Sequence, residues 1–301
     1  MKLQQLRYAL EVYRHNLNVS EAADALFTSQ PGISKQIRLL EEELGIQIFI
    51  RSGKRVVSVS QPGKAVLEIS ERILRDVQNI KNIGSEFTDH DSGSLTIATT
   101  HTQARYALPK IVAEFVKNYP KVNLTIKQGS PSAIAQMVSS GEADLAIITE
   151  RIDDHPELGK LPCYEWNHAV IVPHDHPLLD CRNPLSLEDL ASFPLVTYEF
   201  AFNSGSSIAR TFNKAHIEQP DVALSAADTD VLKTYVRLGL GVGLMAKMAY
   251  DPVVDQDLQL IDAAHLFEPS PTWIALRTDT YLRGYAYDFI QMFAPKLTRE
   301  V

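Results

Sequence analysis

The sequence predicts an α/β protein in which a short, mainly helical N-terminal segment precedes two lobes of alternating strands and helices. Apolar residues recur at helical spacing through much of residues 1–83, whereas strand and helix patterns alternate from residue 94 onward. The length of 301 residues also exceeds what one hydrophobic core usually serves. Together these observations predict three parts, which are residues 1–60, residues 61–87 and residues 88–301.

The composition is that of an ordinary globular protein, with 45% apolar and 22% charged residues. The longest apolar run, residues 238–246, is far shorter than the roughly 18 residues that span a bilayer. Charged side chains interrupt residues 2–15, which argues against a secretory signal, and two cysteines provide no disulfide framework. We therefore expect a cytoplasmic protein without a membrane partner.

The charge of the chain is unevenly distributed. Residues 1–60 contain eight Lys and Arg against six Asp and Glu, a net charge of +2, whereas the whole chain carries −8. The remaining residues therefore carry −10. A globally acidic protein does not attract nucleic acid through its average field, but a locally basic N-terminal face can still contact phosphates.

Three helical patterns precede Gly45. The apolar stripe of the first consists of Leu3, Leu6, Leu10 and Tyr13. Ser20 is a candidate cap for the second, and the third runs from Gln30 to Leu44 with Gly45 as its stop. Because a short polar break at residues 27–29 joins the second pattern to the third, the arrangement is that of a helix-turn-helix.

The third helix presents a polar and basic face. Gln30, Ser34 and Arg38 lie at i, i+4 and i+8, with Lys35 beside them. Such a helix fits the major groove of DNA, where these side chains reach the edges of the bases. The alternative is a three-helix bundle whose charges are merely solvated.

Two short strand patterns, residues 48–51 and 56–59, follow the third helix and enclose a basic tip. A hairpin of this kind suits a wing against the phosphate backbone, which favours the DNA-binding interpretation. The residues predicted to bind DNA are Thr28, Ser29, Gln30, Pro31, Ser34, Lys35, Arg38, Arg51, Lys54 and Arg55.

A single apolar stripe runs along a predicted helix over residues 64–83. Its members, the predicted dimerisation residues, are Val66, Ile69, Ile73, Val77 and Ile80. A helix of this length cannot bury its stripe alone, so it packs either on its own domain or on a second copy of the chain. Pro62-Gly63 is predicted to close the wing before this helix, and Gly84-Ser85 with residues 89–94 to form a polar hinge after it.

Strand and helix patterns alternate in the last two thirds of the chain, which predicts two lobes with parallel sheets. The first lobe is expected to comprise about residues 93–162 and 267–301, and the second about residues 163–266. A cleft between the lobes suits a small molecule, because ligands of open α/β sheets bind beyond the carboxyl ends of the strands.

Hydroxyl side chains gather where the first three of these strands end. Thr99-Thr100-His101-Thr102-Gln103 follows the first strand, Gly129-Ser130 follows the second and Thr149 follows the third. Free backbone N–H groups at the adjoining helix N-termini favour an anion at this edge. The alternative is simple helix capping, which needs only one hydroxyl group.

The N-terminal segment resembles the winged helix-turn-helix of LysR-type transcriptional regulators. The motif is carried by Ala22-Ala23, Ser29–Gly45 (SQPGISKQIRLLEEELG), Phe49 and Arg51. The resemblance covers the whole chain and extends to the CysB branch, which regulates sulfur assimilation and cysteine synthesis. The stretches similar to that branch are residues 99–106, 149–150, 161–167 and 230–243. This resemblance implies a two-lobed α/β effector domain like that of periplasmic binding proteins.

The resemblance also implies an effector site. In the CysB branch the equivalents of Thr100, Thr102, Gln103 and Thr149 form a pocket with a threonine of the opposite lobe. Phe202 stands where that threonine is expected, so either Asn203 or Ser204 supplies its hydrogen bond or the ligand differs. The predicted effector-binding residues are Thr99, Thr100, His101, Thr102, Gln103, Gly129, Ser130, Thr149, Tyr164, Trp166, Phe202 and Asn203.

The partners follow from the same resemblance. It implies an acetylserine-type compound or a sulfate-like anion as the effector and promoter DNA as the macromolecular ligand. It further implies that the protein acts as a dimer of dimers and works with RNA polymerase.

Other motifs carry no prediction of chemistry. Gly239-x-Gly241-x-Gly243 follows a helix and enters a strand, which is the reverse of a dinucleotide fingerprint. His174 and His176 lack a third metal ligand nearby, and no basic residues cluster around Cys163 or Cys181. We therefore predict no catalysis, no metal and no cofactor.

Three alternatives stay open from the sequence. The first is a LysR-type regulator of another small anionic metabolite. The second is a solute-binding protein, whose two lobes would look alike, although residues 1–60 argue against it. The third is an α/β enzyme with a helical appendage, which salt-dependent retention of the N-terminal residues on DNA would distinguish from a regulator.

Overall fold

A computed structural model describes residues 1–53, 55–149, 155–180, 184–203, 206–217 and 220–297. The chain divides into two compact units, Met1–Thr88 and Asp89–Val301. Among the described residues, no helix combines the length and the apolarity needed to cross a membrane.

The N-terminal unit contains a helical core, a hairpin and a long helix. Its elements are α1 (Leu3–Arg14), α2 (Val19–Ala25), α3 (Gln30–Leu44), β1 (Phe49–Ser52), β2 (Arg55–Val59) and α4 (Gln61–Thr88). Ile33, Ile37 and Leu40 form the buried face of α3, and they pack with Leu6 and Ala9 of α1. The helical spacing of the apolar residues thus places one face of each helix in a common core.

Local signals fix the ends of these helices. The N-cap of α2 is Asn18, whose side chain accepts hydrogen bonds from the amides of Ser20 and Glu21, so the prediction that Ser20 caps this helix was wrong. The hydroxyl of Ser29 caps α3 by accepting from the amide of Gly32 at 3.3 Å. Gly45 ends α3 with φ +67°, a conformation that favours glycine.

The wing is anchored by a buried carboxylate. The Glu41 carboxylate on α3 accepts from the amides of Ile48 and Phe49 at 2.9 and 3.0 Å. Its other oxygen accepts from the guanidinium of Arg51 at 2.8 Å. These charge-assisted bonds fix the start of the hairpin against the helical core.

The helix α4 is longer at both ends than the predicted helix over residues 64–83. Pro62 and Gly63 lie in its first turn, where proline is well tolerated, so they do not close the wing as predicted. A Cβ atom at Gly63 would lie 2.2 Å from the carbonyl oxygen of Ile48, so glycine permits this close approach. The helix also continues through Gly84 and Ser85, and the predicted hinge at these residues was wrong.

The stripe on α4 divides into two sets. Val66 and Ile73 are half-buried against the core of their own unit. Ile69 and Ile80 are 48% and 69% exposed, and Phe87 near the end of the helix is 85% exposed. Intramolecular packing therefore accounts for only part of the stripe.

The C-terminal unit contains two sheets flanked by helices. Its strands are β3 (Ser92–Thr99), β4 (Lys121–Gln128), β5 (Leu145–Ile148), β6 (Leu158–Trp166), β7 (His168–Pro173), β8 (Leu195–Tyr198), β9 (Val222–Ala226), β10 (Val242–Ala246), β11 (Leu258–Asp262) and β12 (Ser270–Arg277). Its α-helices are α5 (Leu108–Asn118), α6 (Pro131–Ser139), α7 (Leu187–Ala191), α8 (Ser207–Lys214), α9 (Thr229–Arg237) and α10 (Gly284–Phe293). A π-helical turn, Gln103–Ala107, leads into α5.

The two sheets define two lobes. In the described residues the first sheet has the order β4-β3-β5-β12-β6, and the second has the order β11-β7-β10-β8-β9. Each contains parallel strands, as predicted, together with antiparallel ones: β12 runs antiparallel to β5 and β6, and β7 runs antiparallel to β10 and β11. We call the parts around these sheets the first lobe and the second lobe.

The chain passes between the lobes at two points. The first is Asn167, between β6 and β7, which is later than the predicted boundary at residue 162. The second is the segment 263–269, between β11 and β12. Both crossings therefore join strands that belong to different sheets.

Candidate functional site

The exposed face of α3 carries the predicted DNA-reading residues. The side-chain amide of Gln30 donates to the hydroxyl of Ser34 at 3.2 Å, so these two residues form a polar pair on this face. Lys35 and Arg38 are exposed and form no ion pair with any residue that the structure describes. Their charges are therefore available to an anionic partner.

The other predicted DNA-binding residues are placed in several ways. Arg51 is engaged by the buried Glu41, so it holds the wing together rather than presenting a free charge. Arg55 is exposed on β2, Pro31 is exposed at the start of α3 and Thr28 is half-buried. Lys54 lies outside the described residues. Ser29 is exposed, but its hydroxyl is used for the helix cap.

The C-terminal unit encloses a cavity of about 230 Å³. Residues from both lobes and from both crossings line it. They are Thr100, Thr102, Gln103, Thr149, Trp166, His168, Tyr198, Phe200, Ala201, Ser206, Ser207, Ile208, Arg210, Ala246, Glu268, Pro269, Ser270 and Pro271. The volume is below the roughly 300–1,000 Å³ of pockets for drug-sized ligands, so it suits a small metabolite.

The carboxyl edge of the first sheet provides one wall of this cavity. Because β3 lies between β4 and β5, the residues that follow these strands come close together. Thr100, Thr102, Gln103 and Thr149 all line the cavity. They offer three hydroxyl groups and one amide, which are neutral groups able to donate to an anion.

The remaining predicted residues of the first lobe lie around this wall rather than on it. The hydroxyl of Thr99 donates to the carbonyl oxygen of Ile147 within the sheet at 3.1 Å. Ser130 caps α6, accepting from the amide of Ala133 at 3.4 Å, and Gly129 precedes it. His101 lies outside the cavity, with its Nδ1 atom 3.8 Å from a carboxylate oxygen of Asp228.

Tyr164 acts on the cavity through Gln103. Its hydroxyl donates to the side-chain oxygen of Gln103 at 2.5 Å, although Tyr164 itself does not line the cavity. This bond occupies the amide oxygen and leaves the NH₂ group of Gln103 as the donor to a ligand. Burial raises the pKa of Tyr164, which keeps its hydroxyl protonated.

Thr102 belongs at the same time to the cavity and to the contact between the lobes. Its hydroxyl lies 2.9 Å from the hydroxyl of Thr229 and 3.3 Å from that of Tyr198, both in the second lobe. Thr229 and Tyr198 are themselves 3.0 Å apart. A neighbouring link joins Tyr106 to Asp230, whose carboxylate accepts from the Tyr106 hydroxyl at 2.6 Å.

The two crossings between the lobes provide a wall that the sequence did not predict in full. Trp166, which was predicted, stacks at a tilt on His168 with ring centroids 4.8 Å apart, and His168 lies 5.3 Å from the ring of Phe267. The indole Nε1 and the His168 Nδ1 are buried without a hydrogen-bond partner in the described residues. Burial lowers the pKa of His168 to about 4, so its ring is neutral at physiological pH.

The start of α8 adds a charged rim to the cavity. Ser206 caps this helix by accepting from the amide of Ala209 at 3.0 Å, and Ser207 also lines the cavity. The guanidinium of Arg210 is half-exposed and lies 3.9 Å from the Glu268 carboxylate. Among the described residues that line the cavity, Arg210 is the one Lys or Arg side chain and Glu268 the one carboxylate, so the N-terminus of α8 supplies the positive potential that is left over.

The loop expected to close the site from the second lobe is placed differently. Phe202 does not line the cavity but packs on the core of the second lobe, edge to face with Phe212 at 5.4 Å. Asn203 does not line the cavity either, and Ser204 lies outside the described residues. Phe200, Ala201 and Ser206 line this side of the cavity, and Phe202 lies outside the lining in which it was expected.

The other polar clusters have structural partners. His174 bonds the carbonyl oxygen of Gln256, and His176 accepts from the amide of Leu178. In the part of the chain that the structure describes, no three potential metal ligands come together. Burial raises the pKa of Cys163 to about 11, which makes its thiol unreactive at neutral pH, and Cys181 lies outside the described residues.

A helix-turn-helix unit with free cations on its reading face and a two-lobed unit with a small cavity are the parts of an effector-controlled transcriptional regulator. Residues 3–64 match the family described as "Bacterial regulatory helix-turn-helix protein, lysR family", and residues 88–298 match the "LysR substrate binding domain". The chain therefore belongs to the LysR family of transcriptional regulators. This membership sets aside the solute-binding protein and the α/β enzyme.

The chain is similar to several members of this family over its whole length. It is 51% identical over 297 residues to the transcriptional regulator SsuR of Burkholderia cenocepacia, covering 99% of this chain and 96% of that one. It is 52% identical over 301 residues to the transcriptional regulator CysB of Haemophilus influenzae, covering 100% and 92%. The solved cofactor-binding domain of the Cbl transcriptional regulator has 40% identity and a TM-score of 0.64, covering 69% of this chain and 91% of that one.

Proposed function

We propose that this protein regulates genes of sulfur assimilation and cysteine biosynthesis in response to a small anionic metabolite of that pathway. Acetylserine compounds and sulfate-like anions are the proposed effectors. Similarity to SsuR and CysB over the full chain supports the choice of branch. The protein works where promoter DNA is found, in the cytoplasm, and RNA polymerase is its proposed partner at the promoter.

Three parts of the chain carry three proposed roles. Residues 1–60 bind DNA, residues 61–87 pair two copies of the chain, and residues 88–301 bind the effector. The apolar side chains of Ile69 and Ile80 support the pairing role, because the described residues of their own unit leave 48% and 69% of them exposed. Two such dimers then bind one promoter as a dimer of dimers.

The effector proposal depends on one observation, which is the set of hydrogen-bond donors that line the cavity. The hydroxyl groups of Thr100 and Thr149 and the NH₂ group of Gln103 supply neutral donors on one side. The N-terminus of α8 supplies positive potential on the other, where the charge of Arg210 is balanced by its partner Glu268. A carboxylate or sulfate group fits between them without a buried lysine.

The response to the effector follows from the double position of Thr102. A ligand that accepts a hydrogen bond from Thr102 competes with the bonds that this hydroxyl makes to Thr229 and Tyr198. Binding therefore favours an arrangement of the lobes in which these contacts differ. A ligand shifts such an equilibrium only by its difference in affinity for the two arrangements.

Thermal unfolding of the full chain tests the effector assignment. O-acetylserine, N-acetylserine and sulfate are added separately, with L-serine and chloride as matched controls. A ligand at 100 times its Kd stabilises the folded state by about 2.7 kcal/mol, and the stabilisation grows with the logarithm of the ligand concentration above Kd, so a true effector raises the unfolding midpoint progressively as it is added. If none of the three compounds raises the midpoint above its control, the proposed effector class is wrong.

A further inference from the structure

Phe27 occupies the turn between α2 and α3 in a position that costs the folded protein stability. Its side chain is 98% exposed, which leaves an entire aromatic ring in water. Its φ angle is +50°, a left-handed conformation that bulky L-residues rarely adopt. Glycine or asparagine would adopt this φ angle at lower cost, and a polar side chain would be more favourable at this exposed position.

The fold itself does not require this ring. The turn is held by backbone bonds, in which the amide of Phe27 donates to Asp24 at 3.1 Å and the amide of Thr28 donates to Ala23 at 2.9 Å. The neighbouring Leu26 supplies the apolar contact to the core of the unit, and Phe27 does not take part in that core. Among the described residues of the N-terminal unit, no contact of the Phe27 ring therefore offsets its exposure or its left-handed backbone conformation.

The surroundings of Phe27 indicate what covers it. The residue lies two positions before Ser29, the N-cap of α3, and so next to the end of α3 that carries Gln30 and Ser34. The cations Lys35 and Arg38 on the same helix have no carboxylate partner in the described ranges, which points to an anionic polymer as the occupant. In a helix-turn-helix, the N-terminal residues of the second helix meet the edges of bases in the major groove.

We propose that Phe27 contacts the 5-methyl group of a thymine in the major groove and thereby selects a T·A pair at one position of each half-site. The thymine methyl is the apolar group that the major groove presents, and phenylalanine is among the side chains that contact it. The inference rests on the proposed function, because it requires that α3 reads DNA. If α3 reads DNA, Phe27 then discriminates bases by an apolar contact, in addition to the hydrogen bonds that the polar residues of α3 make.

The test begins with a DNA sequence chosen by the protein. The wild-type full chain selects duplexes from a random-sequence library, and the selected duplex is then remade with one thymine at a time replaced by uracil. This replacement removes only the methyl group. Uracil at one position of each half-site is expected to weaken wild-type binding about five- to tenfold.

Variants of Phe27 separate the base contact from any effect on folding. Phe27→Ala is expected to weaken binding by the same factor and to become insensitive to uracil at that position. Phe27→Asn suits both the positive φ and the solvent, so its unfolding midpoint is expected to stay level or rise while its affinity for the selected duplex falls. Leu44→Ala, at the far end of α3 and 38% exposed, is the matched control and should keep both affinity and uracil sensitivity.

Three outcomes overturn the inference alone. One is a Phe27→Ala protein that selects the same sequence with wild-type affinity. Another is an equal loss of affinity for selected and random duplexes, which would mean that Phe27 contacts the sugar-phosphate backbone of the DNA rather than a base. The third is a loss of dimers on sedimentation of Phe27→Ala, which would assign it to a protein contact. A wild-type chain that selects no sequence overturns the proposed function as well.

Discussion

The hydroxyl of Thr102, in the first lobe, lies 2.9 Å from the hydroxyl of Thr229, in the second. Thr229 is the first residue of α9, and it is 1% exposed. The same Thr102 side chain lines the cavity. One hydroxyl group thus takes part in the junction between the lobes and in the surface that a ligand meets.

Replacement of this hydroxyl by a methyl group is the first prediction. Thr102→Val should leave Thr229 and Tyr198 bonded to each other, so the free energy of unfolding should fall by only about 1 kcal/mol. Effector affinity should fall by about 1.5–3 kcal/mol, the value of one hydrogen bond to a charged group. Titration calorimetry on the full chain measures this difference. Thr234→Val, on the exposed side of α9, is the control. Wild-type affinity in Thr102→Val would mean that the effector binds elsewhere.

The second prediction concerns the free cations of α3. Lys35→Ala and Arg38→Ala should each weaken binding to all duplexes and reduce the slope of log affinity against log salt by about 1, because each loses one phosphate contact. Arg14→Ala is the control, since Arg14 is paired with Glu11 and Glu71. Fluorescence anisotropy over a range of salt concentrations gives the slopes. Unchanged slopes in both variants would remove α3 from the phosphate contacts.

The third prediction concerns the exposed part of the stripe on α4. Ile80→Asp places a charge on a side chain that is 69% exposed within its own unit, so the monomer should fold normally. In a dimer the same charge would be buried without a partner, which is strongly unfavourable. Sedimentation velocity should show the loss of dimers for Ile80→Asp and their retention for Ile80→Leu. Ile73→Asp is less informative, because Ile73 also packs on its own core. A dimeric Ile80→Asp protein would mean that the dimer interface lies on another surface.

The fourth prediction is a dependence of stability on pH that originates at His168. Burial lowers the pKa of His168 from 6.5 to about 4, so between these values the unfolded chain binds a proton that the folded chain does not. The stabilising contribution is complete above pH 6.5 and is lost as the pH falls to about 4, and it amounts to at most about 3 kcal/mol.

The variant His168→Phe tests this contribution. It keeps the ring that packs against Trp166 and Phe267, so its stability should decline less than that of wild type between pH 7.5 and pH 5. Urea unfolding at the two pH values measures the decline. His90→Gln, at an exposed position, should decline as wild type does. An equal decline in wild type and His168→Phe would contradict a neutral buried imidazole.

The sequence predicts the elements whose periodicity is complete. The bounds of α3 match the predicted Gln30–Leu44, because its cap, its stop and its apolar spacing agree. It does not reveal β6, since Gly159 and Pro162 interrupt any alternation and the strand forms by pairing with the distant β12. The predicted helix over residues 64–83 ended too early, because Gly84 is read as a stop although the helix accommodates it.

The cavity shows the same division. Thr100, Thr102, Gln103 and Thr149 follow β3 and β5, which are parallel neighbours in one sheet, so the shared carboxyl edge was enough to place them together. His168, Arg210 and Glu268 come from the crossings and from α8, and no local pattern joins them. Phe202 was misplaced because one position along a loop decides whether a side chain faces the cavity or the core, and the sequence does not set that choice.

The position of β12 between β5 and β6 has a consequence for the order in which the protein is made. The second lobe is continuous from His168 to Asp262, so all its strands leave the ribosome before β12 does. Until β12 has emerged, the edges of β5 and β6 that pair with it in the finished sheet are open, the condition in which strands mispair and aggregate. The lobe that begins first is completed last, so a chain cut short just before Ser270 contains every strand of the second lobe but lacks the strand that joins β5 to β6 in the first.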